Sequence, residues 1–67
     1  MNAQVYIKRK EKRLRQCDVA RKLMISTQSY HLKETGKNAF TVPEAKRLAR
    51  LFNCTLDELF GGESIVS

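Results

Sequence analysis

Residues 25–37, ISTQSYHLKETGK, place Ser26, Thr27, Gln28, Ser29 and His31 along what reads as one short helix. These side chains are small or flat carriers of hydrogen-bond donors and acceptors, suited to reading polar edges and anionic oxygens. A surface helix selected for stability alone would favour Glu, Lys, Ala and Leu. A demand other than helix propensity set these residues. Bond-making chemistry is not that demand, because the carboxylates form no paired acid/base arrangement with a histidine or nucleophile, and no Gly-rich phosphate loop occurs. His31 is the single histidine, and Cys17 and Cys54 form no C-x-x-C pattern, which excludes a standard zinc site. An enzyme is not expected, nor is a metal or other cofactor.

The formal net charge is +6 over 67 residues, and it is unevenly spread. Residues 1–38 carry ten Lys/Arg against three acids (Glu11, Asp18, Glu34), net +7; residues 39–67 carry three against four, net −1. A basic half on a small domain fits a polyanionic partner, nucleic acid first, with a merely solvated basic surface as the alternative. The length holds one domain, which at this size buries only about 60% of the surface exposed by the unfolded chain and so needs an efficient core. No apolar run approaches the roughly 20 residues that cross a bilayer, and no apolar signal region follows the N-terminus. The expectation is a cytoplasmic protein with no membrane partner, whose two cysteines stay as small buried or half-buried thiols.

The elements that must position the polar segment read as helices throughout. Proline occurs once (Pro43), glycine three times (Gly36, Gly61, Gly62), and apolar residues recur at three- and four-residue spacing. A first helix runs from about Ala3 to Leu14, with Ala3, Ile7 and Leu14 on one face and basic residues over much of the rest. A second runs from about Gln16 to Leu23 with Val19, Ala20 and Leu23 inward. The third follows Ser26, a good N-cap, and ends near Thr35 with Gly36 as the left-handed residue beyond it. Thr41-Val42-Pro43-Glu44 is a capping box opening a fourth helix with Val42, Ala45, Leu48, Ala49 and Phe52 on its apolar face. Thr55-Leu56-Asp57-Glu58 is a second box, opening a short fifth helix that carries Leu56, Leu59 and Phe60. The domain spans residues 1–60, and residues 61–67 form a short tail.

The second and third helices are separated by only Met24-Ile25-Ser26. Ala20 permits a close approach, Leu23 and Ile25 flank the turn, and Tyr30 packs from the third helix, which describes a helix-turn-helix. The stretch QCDVARKLMISTQSYHLKETGK resembles that unit in the phage Cro/lambda-repressor-like (XRE-type) family. TVPEAKRLARLFNCTLDELF resembles the family's fourth and fifth helices, and the likeness covers roughly residues 5–60. It implies an all-α, compact five-helix bundle. Three residues depart from the family pattern. Met24 stands where a turn glycine is usual, requiring either a strained backbone or a remodelled turn. Lys33 takes a slot usually filled by a core aliphatic, so either the third helix is rolled or Leu32 faces outward while Lys33 snorkels. Arg15 replaces the usual Ser/Thr N-cap of the second helix, exchanging a cap for a cation near a phosphate position.

The resemblance implies a sequence-specific regulator that inserts its third helix in the major groove of a double-stranded DNA operator. Thr27 and Gln28 would enter first, with His31 and Leu32 one turn later, as candidate base contacts. Gln can pair with adenine through two bonds, and Ser or Thr can serve as donor or acceptor. Gln16, Arg15, Ser26, Ser29, Lys37 and Asn38 are candidate phosphate contacts. Bland readings stand beside these: Ser26 as a cap alone, Tyr30 as core, His31 as an ordinary surface histidine, and Glu34 as a structural partner for a basic residue. A homodimer on a pseudo-palindrome is expected, through Leu56, Phe60, Ile65 and Val66. The rival expectation is a modulator that keeps the fold and docks on a second phage repressor protein.

Overall fold

A computed structural model of the chain describes residues 3–61. Among these lie five helices and no strand: α1 (Ala3–Glu11), α2 (Gln16–Leu23), α3 (Thr27–Glu34), α4 (Val42–Leu51) and α5 (Leu56–Phe60). The chain belongs to the all-helical class that the spacing of its apolar residues predicts.

Local chemistry sets most of the starts. Ser26 Oγ accepts the Ser29 N–H at 3.0 Å to open α3. At α4 the full capping box forms: Glu44 N–H donates to Thr41 Oγ1 at 3.3 Å and Thr41 N–H to Glu44 Oε1 at 2.9 Å. Thr55 Oγ1 accepts the Glu58 N–H at 3.1 Å before α5. Arg15 has no acceptor to offer α2, and only the reverse half of a box is made there, with Arg15 N–H donating to Asp18 Oδ2 at 2.9 Å.

The ends share one device. Arg13, Met24, Gly36 and Asn53 follow α1, α2, α3 and α4 at φ of 56°, 61°, 89° and 53°. In each case the next residue's N–H reaches back five positions: Leu14 to Arg9 O (3.1 Å), Ile25 to Ala20 O (3.0 Å), Lys37 to Leu32 O (2.9 Å) and Cys54 to Ala49 O (2.9 Å). This is the Schellman closure, which satisfies orphan carbonyls at a left-handed residue. It ends α1 at Glu11, three residues before the expected Leu14. For Met24 it selects the strained backbone over a remodelled turn. At α5 the Gly61 N–H donates to Asp57 O at 2.8 Å, and a Cβ at Gly61 would fall 2.5 Å from that oxygen.

The core gathers Val5, Val19, Ala20, Leu23, Tyr30, Phe40, Ala45, Leu48, Phe52, Leu59 and Phe60, with Leu14, Ile25 and Leu56 packed against it. Burial of each large apolar side chain stabilises the fold by about 1.5–3 kcal/mol. Phe40, in the loop before α4, lies between Tyr30 (centroids 6.0 Å apart) and Phe60 (5.7 Å, edge to face). Two expectations are corrected here. The inward face of α1 is Val5 and Arg9, one turn apart, while Ile7 is 42% exposed and Ala3 is exposed. Phe60 is only 5% exposed; its ring fills the domain's own core and is not a free apolar surface. Ile65 and Val66 lie outside the described residues.

Candidate nucleic-acid interface

The position of α3 is set by a polar cluster beneath it. Tyr30 and Glu34, one turn apart, face inward from α3, and Arg9 reaches them from α1. Arg9 Nε donates to Glu34 Oε2 at 2.8 Å and Nη2 to Oε1 at 3.1 Å, while Nη1 holds Leu14 O at 2.9 Å. The Tyr30 hydroxyl also donates to Glu34 Oε2. Gln16, the first residue of α2, completes the set through Nε2, 3.1 Å from Glu34 Oε1. No buried side-chain polar atom among the described residues lacks a partner. Burial pushes the Glu34 carboxyl up, but the hydrogen bonds from Arg9, Tyr30 and Gln16 outweigh it and hold the group below the usual carboxylate range. Burial, then the bond to Glu34, pushes the Tyr30 phenol far above its ordinary value. Glu34 is thus the structural partner of a basic residue that its sequence context suggests, and the partner comes from 25 residues away.

A second ion pair seats the far side of the helix. Lys33 Nζ donates to Glu44 Oε1 at 2.6 Å, with the two side chains 12% and 13% exposed. Burial raises the Glu44 carboxyl, and the bonds from Lys33 and the Thr41 N–H more than reverse that shift. Lys33 therefore keeps the slot of a core aliphatic by pairing its charge with the capping residue of α4. Leu32 is half-buried beside it.

With Tyr30 and Glu34 inward, the helical period turns Thr27, Gln28 and His31 outward, and all three are exposed. Ser26 is exposed with its hydroxyl engaged as the cap, and Ser29 is half-buried. Lys37 and Asn38 are exposed immediately beyond the helix, with both N–H groups on Leu32 O at 2.9 and 3.1 Å. Gln16 is brought against this face as well, its Nε2 lying 3.2 Å from His31 Nδ1. Arg15 is 78% exposed in its side chain but folds onto Asp18, Nε to Oδ2 at 3.3 Å. That contact holds the Asp18 carboxyl below its ordinary range. Leu56, half-buried against the core on α5, belongs to a different part of the fold.

Charge pairing refines the basic surface. Glu11, Asp18 and Glu34 each lie within 4.0 Å of a base (Lys8, Arg15, Arg9), and Lys33 is paired with Glu44. Lys10, Lys12, Arg13, Arg21, Lys22 and Lys37 are exposed and have no ion pair among the described residues. Arg9, one of the basic run Lys8 to Arg15, is the exception that composition conceals: it is buried and structural. Its signal was its place four residues after Val5, on the inward stripe of α1. The Gln16–His31 link across α2 and α3 had no sequence signal, since it depends on how the two helices cross.

A family model described as helix-turn-helix matches residues 5–59. No curated protein matches the chain in sequence.

Proposed function

The chain belongs to the Cro/lambda-repressor-like, XRE-type helix-turn-helix family, and from that premise we propose that it is a sequence-specific, double-stranded DNA-binding transcriptional regulator, a repressor of phage or mobile-element type acting in the cytoplasm. The observation that carries the reading is the outward stripe Thr27, Gln28 and His31 on a helix whose inward residues are locked by ion pairs. In this reading α3 enters the major groove. Thr27 and Gln28 meet base edges first, and His31 follows with the margin of Leu32. Lys37, Asn38, Ser29 and the exposed cations of α1 and α2 hold phosphates. Ser26 contributes mainly as the cap. Arg15 reaches a phosphate only by leaving Asp18. Gln16 reaches one only by giving up a hydrogen bond to His31 or Glu34. Phosphate contacts supply affinity that falls with salt, with a slope of about −0.9 per contact.

One such domain reads only a few base pairs, so the proposed form on DNA is a homodimer on a pseudo-palindrome. Phe60 is buried in the domain's own core, so the interface is proposed to rest chiefly on Leu56, Ile65 and Val66. Selection of the purified protein against a random double-stranded library at near-physiological salt tests the reading. Enrichment of half-sites about one helical turn apart supports a dimeric operator binder. Binding that is salt-sensitive but enriches no sequence would replace it with the rival role, a modulator that docks on another repressor.

A further inference from the structure

The cluster under α3 also decides which ring nitrogen of His31 carries a proton. Glu34 accepts from Arg9 and Tyr30 at Oε2 and from Arg9 and Gln16 at Oε1. As a carboxylate it is an acceptor only. If the Gln16 amide were turned over, its oxygen would stand about 3.1 Å from a carboxylate oxygen, acceptor against acceptor. Gln16 therefore points its NH2 at Glu34, and the same NH2 lies 3.2 Å from His31 Nδ1. A ring nitrogen facing an NH2 donor must accept, which leaves the proton of the neutral imidazole on Nε2. The two ring nitrogens diverge, so Nε2–H points away from Gln16. It has no partner among the described residues, and His31 is exposed one turn beyond Thr27 on the same stripe.

We propose that His31 is a donor-only base reader: it presents Nε2–H to an acceptor on a base edge, guanine O6 or N7 before thymine O4 or adenine N7. Cytosine is rejected at that position, because its major-groove edge presents an N4 donor. Gln16 is the positioning residue, and it acts on base reading through the tautomer. This inference rests on the operator-binding reading above and adds the class of base that one side chain selects. A net hydrogen bond of this kind corresponds to a discrimination of about three- to tenfold against cytosine.

Two measurements test it. His31 is the single histidine, so a long-range nitrogen–proton NMR spectrum of the 15N-labelled, DNA-free protein, with the ring neutral, shows one pair of ring nitrogens. A single Nε2–H tautomer in the wild type, relaxing to a mixture in Gln16→Met, is the expected result. A wild-type spectrum showing Nδ1–H, or the same mixture as Gln16→Met, overturns the proposal. The second measurement repeats the DNA library selection with His31→Ala. Loss of bias against cytosine at one position, with the others unchanged, supports base reading by His31. An operator enriched identically by wild type and His31→Ala overturns it while leaving the operator reading intact. A wild type that enriches nothing overturns both, even if the NMR arm shows a single tautomer.

Discussion

Arg9 and Glu34 meet from 25 residues apart in a two-bond ion pair whose side chains are 6% and 4% exposed. The pair joins α1 to the inward side of α3, and through Gln16 to the first residue of α2. A buried pair of this kind adds little net stability compared with apolar residues of similar shape, but removing one partner strands the other charge. Its consequence here is orientation: it fixes the roll of α3, and so which side chains face outward.

Replacing Arg9 by Met is therefore expected to cost about 3–5 kcal/mol in urea unfolding, because Glu34 is left buried without its cation. The double substitution Arg9→Met/Glu34→Leu should recover much of that loss, short of the cost of orphaning the Tyr30 hydroxyl. Equal stability of the single and double variants would contradict a desolvated pair.

Stability should also fall at both ends of the pH scale. Glu34 and Glu44 have lowered carboxyl values in the fold. Their contribution is full above the ordinary carboxyl value of 4.5 and is lost as pH falls through the lowered folded values. Tyr30 is raised above its ordinary 10.0. The unfolded chain ionises first on that side, so stability declines as pH rises past 10. Denaturation midpoints across pH should form a plateau between these limits, and Glu34→Gln should flatten part of the acid limb.

Met24 sits at φ 61° and ψ 39° with 78% exposure, so it holds a left-handed backbone while its side chain buries little surface. Left-handed geometry costs a non-glycine residue about 1–2 kcal/mol, partly offset by the entropy of a glycine. Met24→Gly should raise stability by about 0.5–1 kcal/mol, and Met24→Val should lower it. A thermal melt distinguishes the two directions.

On operator DNA, Gln28→Ala should lose about 1–3 kcal/mol of discrimination at one base position, with little change in salt dependence. Lys37→Ala should instead weaken binding to all sequences and reduce the salt slope by about 0.9. Fluorescence anisotropy over a salt series separates the two effects, and matching behaviour of both variants would sink the assignment of separate roles.

Phe60→Ser is expected to destabilise the isolated domain by about 3–5 kcal/mol, as for other buried aromatics. Leu56→Ser, at a half-buried position, should be milder, and it is the better probe of self-association by sedimentation.

Much of the fold was legible because its signals are local. Ser26, Thr41 with Glu44, and Thr55 cap helices through bonds that span three residues, and Gly36 ends α3 through its own backbone freedom. Arg13, Met24 and Asn53 make the same kind of ending without a glycine, so α1 looked three residues longer than it is. The inward face of α1 is hidden in the sequence because Arg9 is charged, and only a partner on another helix makes its burial tolerable. Phe60 offered no clue to its direction, since an aromatic residue on a five-residue helix fits a core as well as a partner.

By itself the sequence determined the helical class, the caps, the Ala20 contact of the turn and the polar character of the residues on α3, because these depend on chemistry within a turn or two. Tertiary structure decided which of those residues face out. The Arg9–Glu34 and Lys33–Glu44 pairs fix the roll of α3, and the crossing of α2 over α3 sets Gln16 against His31. A hydrogen bond between groups 15 residues apart exists only when packing brings both into one geometry, and no local pattern specifies that.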